Sequence, residues 1–291
     1  MASTKAVWGM LLLSLVAVAL LWLLTFFRSS TKREPAHGGE FPRRTPASGR
    51  AEVVLTLTTT PERLANSWME RALDNLLDMD GVHAVYLNVP FVYKKTAEAY
   101  TIPSFVSSLE ASTHLRVHRC EDEGPATKVL ATLRNPEVSD DAFVVVVDDD
   151  VMYYPDVVIS LLEAAGARTR SDAADAGASP SRPGVVYLMC SSQLAGYQAY
   201  AATKGTMRCL LDYQLPKDCF TIDDDWIHMI FSLEHITYET VPHRGDSSWV
   251  CSFDPRKTDT HPRWFEMNNE DGPRRRELQE RCKAALTASA R

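Results

Sequence analysis

The hydrophobic pattern of residues 51–291 alternates between short apolar runs and segments with helical spacing. Runs rich in β-branched residues predict buried strands, and apolar positions three or four residues apart predict helices. A stretch of small residues, Ala167–Gly184, predicts a surface loop. The predicted strands are Val53–Leu57, His83–Val89, Leu115–Cys120, Phe143–Val147, Val185–Ser191 and Tyr238–Val241, and the predicted helices are Asn66–Asp78, Lys128–Leu133, Val157–Ala165 and Asp225–Glu234. This order predicts an α/β domain with a mixed, mostly parallel sheet flanked by helices.

The valine strand runs directly into three acidic residues, Asp148, Asp149 and Asp150. At an effective dielectric of about 20, close carboxylates repel by roughly 4 kcal/mol per pair, which a divalent cation would relieve. Carboxylate oxygens suit Mg²⁺ or Mn²⁺, and such ions usually keep ligand positions for substrate phosphates. The alternative is a solvated acidic turn. In parallel sheets ligands lie beyond the carboxyl ends of the strands, and the three aspartates are predicted to lie there.

The segment TTTPER, Thr58–Arg63, follows the first predicted strand. Its hydroxyls, its proline turn and its guanidinium are suited to a nucleobase or a phosphate. A plain strand-to-helix connection, with Thr59 or Thr60 as the N-cap, explains the same residues equally well.

The segment EGPATK, Glu123–Lys128, places a lysine in the first turn of a predicted helix. A helix N-terminus with a lysine favours an anion such as a diphosphate. A surface lysine is the alternative interpretation.

A second acidic triplet lies in TIDDDWIHM, Thr221–Met229, at the start of a predicted helix. Acidic residues stabilise a first helical turn by themselves. The functional interpretation is that one of these carboxylates acts as a general base on an attacking hydroxyl. His243 is a further candidate metal ligand, although a histidine in such a position is more often a surface residue.

The N-terminal region contains a charge-free apolar run, Val7–Phe27. At about 1.5 Å rise per residue it spans the hydrocarbon core of a bilayer, and it ends in bulky residues rather than at a cleavage site. The following segment is rich in Pro, Gly, Ser and Arg, which predicts a flexible stem. The sequence therefore predicts a short tail (1–6), a transmembrane anchor (7–27), a stem (28–50) and one domain (51–291).

Charge and cysteine content limit the possible partners and leave the orientation open. The net charge of −7 argues against non-specific nucleic-acid binding. Arg28, Lys32 and Arg33 follow the anchor and only Lys5 precedes it, which favours a cytosolic C-terminal domain. Six cysteines, an even number, permit lumenal disulfides but do not establish them.

Taken together, these motifs resemble those of GT-A-fold (Rossmann-like), nucleotide-sugar-dependent glycosyltransferases. The segments VVLTLTTTPERL, EDEGPATKVLATL, VVVVDDDVMYYPD and DDDWIHMIF are similar, in order and spacing, to bacterial, algal and large-virus transferases that include a rhamnosyltransferase-like domain. The resemblance covers most of Val53–Leu286. Two departures are that Ala195–Cys209 lacks a Gly-rich aromatic pattern and that Asp225 replaces an apolar residue.

The resemblance implies a role for individual residues. The nucleobase pocket would be lined by residues after the first strand, a lysine would face the phosphates, and the aspartate triplet would hold the ribose and a divalent ion. The implied donor-binding residues are Thr58, Pro61, Arg63, Lys128, Asp148 and Asp149, and the implied metal ligands are Asp150 and Asp148. The implied base is Asp224, with Asp223 beside it, although Asp225 stays open as an alternative to Asp224.

The expected activity is Mn²⁺- or Mg²⁺-dependent transfer of a hexosyl or deoxyhexosyl group from a nucleotide sugar to a hydroxyl of a glycan or glycoconjugate, with inversion. A retaining transferase, a metal-dependent phosphohydrolase and a membrane-tethered binding module are the alternatives. Anchored transferases of this layout resemble Golgi type II proteins, so a lumenal domain is expected despite the charges that flank the anchor.

Overall fold

A computed structural model describes residues 52–174, 184–190, 194–242 and 272–289. Its central feature is a seven-stranded sheet with the order β5-β2-β1-β6-β8-β7-β9. A separate antiparallel pair consists of β3 and β4. The strands are β1 (Val53–Thr58), β2 (Ala84–Pro90), β3 (Val92–Tyr93), β4 (Glu98–Ala99), β5 (Leu115–Cys120), β6 (Phe143–Val146), β7 (Val185–Met189), β8 (Tyr200–Thr203) and β9 (Thr237–Val241).

The sheet is mostly parallel, because only β8 runs against its neighbours. β1 pairs in parallel with β2 and β6, β2 with β5, and β7 with β9. β8 pairs antiparallel with β6 and β7, which joins the two parallel parts of the sheet. The predicted mixed, mostly parallel α/β sheet is therefore confirmed.

Helices cover both faces of the sheet. Residues of β1 alternate between two buried clusters: Val53 and Leu55 face the first and Val54 faces the second. The first cluster includes residues of α2, α3 and α5, and the second includes residues of α4, α7 and α8. The helices are α1 (Pro61–Leu64), α2 (Ser67–Leu77), α3 (Ser104–Ser112), α4 (Thr127–Arg134), α5 (Val157–Ala174), α6 (Lys204–Met207), α7 (Asp223–Leu233) and α8 (Gly272–Ser289).

The predicted strands and helices recur in the structure with bounds shifted by one or two residues, with one exception. The predicted loop from Ala167 was wrong over its first half, because α5 continues to Ala174. This segment contains several alanines, the strongest helix formers, so small size did not indicate a turn. The strands β3, β4 and β8 and the helices α3, α6 and α8 were not predicted.

Among the described residues, no helix is long and apolar enough to span a membrane. The predicted tail, anchor and stem, together with His243, lie outside the described residues. The predicted transmembrane anchor therefore stays a prediction.

Candidate active site

Two polar clusters meet at the carboxyl ends of β1 and β6, where the aspartate triplet follows the valine strand. The Arg63 cluster consists of Thr59, Arg63, Asp149 and Asp150. The Lys128 cluster consists of Lys128, Asp148, Asp223 and Asp224. The clusters adjoin each other because Asp148 and Asp149 are consecutive residues.

The Arg63 cluster is built on the short helix α1. Pro61 occupies the first turn, and the Thr60 side chain caps the helix by accepting from the Arg63 N–H. The guanidinium donates from Nη1 to Asp149 Oδ1 at 2.6 Å and from Nη2 to Asp150 Oδ2 at 3.0 Å. Arg63 thus forms a bridge between two neighbouring carboxylates, with a third of its side chain still exposed.

Both carboxylate oxygens and the carbonyl of Asp149 accept hydrogen bonds. Its second carboxylate oxygen accepts from the Thr59 hydroxyl at 2.5 Å, and its carbonyl accepts from Trp68 Nε1 at 3.0 Å. With Arg63 on the first oxygen, the buried carboxylate serves to orient the guanidinium. The sequence analysis assigned Asp149 to donor binding. In the structure Asp149 lies behind Arg63, so it would act on a donor only through the guanidinium.

Asp150 has an open acceptor. Burial, together with the charge of Asp149, raises the pKa of Asp150 to about 7, although Arg63 opposes the shift. Its Oδ1 atom is buried and accepts no hydrogen bond within the described part of the chain. Buried carboxylate oxygens are normally hydrogen-bonded, so an oxygen of this kind is suited to a bound cation.

The Lys128 cluster gathers three carboxylates around one ammonium group. Lys128 Nζ lies 2.9 Å from Asp148 Oδ1, 3.0 Å from Asp223 Oδ2 and 3.6 Å from Asp224 Oδ1. Burial opposes the charge on Lys128, but the three carboxylates together raise its pKa well above the ordinary value. Lys128 is therefore a buried cation at neutral pH.

Buried polar side chains hold Lys128 in position through its backbone. The Lys128 carbonyl accepts from the Thr56 hydroxyl on β1 and from the Asn88 amide on β2. Asn88 also contacts Thr56 and Thr132, which closes a network between the sheet and α4. Because two neighbouring strands and α4 share these bonds, the start of α4 is fixed over the strand ends.

Of the second acidic triplet, Asp223 and Asp224 join the site and Asp225 does not. Asp224 Oδ2 accepts from the Gly196 N–H at 3.2 Å, and burial raises the pKa of Asp224 to about 7, reinforced by Asp223 and Asp148 against the effect of Lys128. Asp225 instead accepts from Gln279 Nε2 of α8 at 2.9 Å. The geometry therefore favours Asp224 over Asp225 as the candidate base.

A glycine makes the closest backbone approach to the Lys128 cluster. A Cβ atom at Gly196 would lie 2.5 Å from both Asp148 Oδ1 and Lys128 Nζ. The Tyr153 hydroxyl donates to the Gly196 carbonyl at 3.0 Å and accepts from the Asp148 N–H at 2.8 Å. Tyr153 therefore connects the aspartate triplet with the segment that holds Asp224.

Two buried donors have no hydrogen-bond acceptor among the described residues. They are the Tyr200 hydroxyl and Trp226 Nε1. The charges of Lys128 and Asp224 both act on the Tyr200 hydroxyl, although burial is the main reason that its pKa is raised. Because unpaired buried donors are rare, these groups are suited to a water molecule or to a substrate hydroxyl.

The remaining sequence-predicted residues lie at the edge of this site. The Thr58 hydroxyl donates to the Asn88 carbonyl at 2.8 Å, so it pairs with β2 and joins neither cluster. Pro61 opens α1 and fixes the chain that leads to Arg63. Thr59, Tyr153, Gly196 and Tyr200 were not predicted, although Thr59 lies in the segment TTTPER and Tyr153 in the segment VVVVDDDVMYYPD.

The carboxylate oxygens of the site fit a divalent cation that takes further ligands from a substrate. Five carboxylates face two protein cations, and Asp150 offers a buried, unpaired oxygen. Within the described ranges, no three His, Cys, Asp or Glu side chains form a group that could hold a metal by themselves. A Mg²⁺-like ion commonly binds one or two carboxylates and completes its shell with water and phosphate oxygens.

A disulfide bond fixes the helix that carries Asp223 and Asp224. Cys219, just before α7, is bonded to Cys282 of α8, and both residues are buried. Asp218 forms an ion pair with Arg281 at the same junction. α8 thus holds the start of α7 through a covalent bond, an ion pair and the Gln279–Asp225 hydrogen bond.

Comparisons with known proteins establish no family. No family model and no curated protein matches the chain. Similar solved structures include 4-diphosphocytidyl-2C-methyl-D-erythritol synthase (12% identity, TM-score 0.45, 80% of this chain and 99% of that one). They also include S. aureus TarS 1–349 in complex with UDP (15%, TM-score 0.41, 65% and 60%) and glucosyl-3-phosphoglycerate synthase from Mycobacterium tuberculosis with Mn²⁺ and UDP-glucose (14%, TM-score 0.38, 67% and 70%). TM-scores below 0.5 do not establish a common function, so the function has to be argued from the site.

Proposed function

We propose that this chain is a metal-dependent glycosyltransferase that moves a sugar from a nucleotide-sugar donor to a hydroxyl of a glycan or glycoconjugate. The observation that carries the proposal is the position of Asp224. It is a partly buried carboxyl group with a pKa of about 7, held by the Gly196 N–H beside Lys128 and Asp148. A carboxylate with this pKa is suited to act as a general base near neutral pH.

The donor would bind across the two clusters. Arg63 and Lys128 supply the positive charges for a diphosphate, and a guanidinium can also stack on a nucleobase. Pro61 and Thr58 would form the wall of the nucleobase pocket. Asp148 and Asp150 would hold Mn²⁺ or Mg²⁺, which acts as a Lewis acid on the departing nucleoside diphosphate when bound.

Asp224 would perform the proton transfer. In its ionised form it accepts the proton of the acceptor hydroxyl while that oxygen attacks the anomeric carbon from the face opposite the diphosphate. The attack forms the new glycosidic bond, breaks the bond to the diphosphate and inverts the anomeric configuration. Asp223, which shares Lys128 with Asp224, would keep the ammonium group next to the base.

The test is turnover of a panel of nucleotide sugars by the full-length chain in detergent with Mn²⁺, with and without a mixture of glycan acceptors. The Asp224→Asn variant should lose at least about 100-fold in acceptor-dependent release of nucleoside diphosphate, the usual contribution of a general base. The matched Asp225→Asn variant, whose side chain faces Gln279, should stay close to wild type.

Each alternative gives a different product. A retaining transferase would give the same anomer as the donor, which NMR of the product distinguishes from the inverted one. A phosphohydrolase would release nucleotide at a rate that is indifferent to the acceptor. Wild-type turnover by Asp224→Asn, with the fold intact, would refute the assignment of the base.

The proposed location is the Golgi lumen, with Val7–Phe27 as a type II membrane anchor. Cys219 is disulfide-bonded to Cys282, and Cys190 is disulfide-bonded as well. Because such bonds rarely persist in the cytosol, they support an oxidising compartment. This outweighs the few charges that flank the anchor. A protease-protection assay on intact vesicles should leave the C-terminal domain undigested, and digestion without detergent would place it in the cytosol.

A further inference from the structure

The acidic residues of the site form ion pairs with basic residues of the same chain. Arg63 bridges Asp149 and Asp150 at 2.6 and 3.0 Å, and Lys128 lies 2.9 Å from Asp148. The two carboxylates that the proposed function assigns to the metal ion, Asp148 and Asp150, are therefore both paired with a protein cation.

The same two cations are those that would bind the diphosphate. A divalent ion that approaches Asp148 or Asp150 alone meets the positive charges of Arg63 and Lys128 at close range. A diphosphate that binds alone draws those cations away and leaves buried carboxylates without a counter-ion, which is strongly unfavourable. Either ligand by itself is therefore opposed by the internal ion pairs.

We propose that Arg63 and Lys128 are exchangeable counter-ions that couple the binding of the divalent cation to the binding of the nucleotide. Without ligands they pair with Asp148 and Asp150, and with both ligands present the metal ion takes over these two carboxylates while the basic side chains bind the phosphates and stay next to their remaining carboxylates, Asp149, Asp223 and Asp224. Every charge then keeps a partner. This inference rests on the proposed nucleotide-binding function, and by linkage the two ligands raise each other's affinity by the same factor.

The inference predicts effects of opposite sign for one substitution. Removing either basic side chain frees carboxylate oxygens, so the metal ion alone should bind more tightly. The same change removes a phosphate partner, so the nucleotide should bind less tightly. A residue that only binds phosphate would leave metal binding unchanged, and a residue that only maintains the fold would weaken both.

The experiment measures Mn²⁺ affinity of the full-length chain in detergent, from the EPR signal of free Mn²⁺, with and without UDP, GDP, CDP or dTDP. The variants are Arg63→Gln and Lys128→Met. Arg63 is the safer of the two because its side chain is a third exposed, whereas Lys128 is buried. The matched control is Arg208→Gln, which removes an arginine paired with Asp140 at 2.6 Å, near the amino end of β6 and away from the site. All variants share the same Mn²⁺–nucleotide complexation in solution, so differences between them belong to the protein.

In wild type, nucleotide should raise Mn²⁺ affinity by on the order of tenfold or more, within the usual range of coupling between two sites. Arg63→Gln and Lys128→Met should bind Mn²⁺ alone about tenfold more tightly and should lose most of that coupling, while Arg208→Gln should match wild type. Unchanged or weaker Mn²⁺ binding by both variants would overturn the inference. If no nucleotide binds to wild type, the proposed function fails, whereas the Mn²⁺-only comparison still decides whether the two residues are counter-ions.

Discussion

The substitution Gly196→Ala tests the close approach of the backbone to the Lys128 cluster. The added methyl carbon would lie 2.5 Å from Lys128 Nζ and Asp148 Oδ1, and 3.0 Å from Asp148 Cγ. Carbon atoms do not approach polar atoms so closely, so one of the groups has to move. Lys128 cannot yield freely because three carboxylates hold its ammonium group, and Asp148 is tied through its N–H to Tyr153.

The expected cost follows from overpacking of a buried site. Such insertions cost about 1–3 kcal/mol, which in a domain of this size lowers the melting temperature by roughly 2–12 °C. Gly196 does not have a left-handed backbone conformation, so the penalty is steric. The assay is thermal unfolding, combined with nucleotide and Mn²⁺ affinity, since displacement of Lys128 also alters the site.

Gly166→Ala is the matched control. Gly166 lies in α5, and outside its own helical turns no heavy atom of the described residues lies within 4 Å of the position of an added Cβ. Because alanine is favoured over glycine in helices by about 1 kcal/mol, this variant should be as stable as wild type or slightly more stable. Wild-type stability and ligand affinity in Gly196→Ala would show that the backbone does not press against the Lys128 cluster as described.

Three further predictions concern pH, charge and the disulfide bond. Because the base must be ionised and burial raises the pKa of Asp224 to about 7, kcat should fall with decreasing pH below about 7, and a flat kcat between pH values of roughly 5 and 8 would contradict this assignment. Burial and Asp149 also raise the pKa of Asp150 to about 7, so the metal-free fold loses stability as the pH rises from the ordinary carboxyl pKa of about 4 towards 7, and the full loss persists above pH 7. Asp150→Asn should therefore melt higher than wild type above that pH in EDTA, and an unchanged or lower melting temperature would oppose the inference. The Cys219–Cys282 bond closes a 63-residue separation, so the double serine variant should lose about 4 kcal/mol of unfolding free energy in a denaturant titration, and an unchanged midpoint would indicate that the bond does not form.

The sequence predicted those parts of the site in which the apolar pattern of a strand and the acidic side chains lie in one continuous segment. The valine strand and the aspartates that follow it could be placed at the carboxyl edge of the sheet, because an uncharged apolar run changes directly into three consecutive carboxylates. The start of α7 followed from the same reasoning about helix ends, whereas the ion pair of Lys128 with Asp148 was not predicted, because Lys128 was assigned to the phosphates.

Other features depend on partners that are distant in the sequence. Asp149 is held by Thr59 and Trp68, which lie 90 and 81 residues away, so no local pattern distinguished its role from that of Asp150. The choice between neighbouring aspartates of α7 depends on Gln279, 54 residues beyond Asp225.

The position of β8 between β6 and β7 could not be predicted from the sequence. The segment YAAT has little β-branched character, and it forms a strand because it pairs with both β6 and β7. This pairing brings Tyr200 opposite Val146, two residues before the aspartate triplet. The same chain segment carries Gly196, so the wall of the site opposite the aspartates became visible only from the fold.

The most direct test of the account is a thermal-shift measurement on the full-length chain in detergent with Mn²⁺ and a panel of nucleoside diphosphates and nucleotide sugars. A nucleotide at 100 times its dissociation constant stabilises by about 2.7 kcal/mol, which corresponds to a rise of roughly 5–10 °C in melting temperature. The account predicts such a rise with at least one nucleotide, dependent on Mn²⁺ and lost in Asp150→Asn. No rise with any nucleotide, in a protein that unfolds cooperatively, would contradict the nucleotide-sugar site.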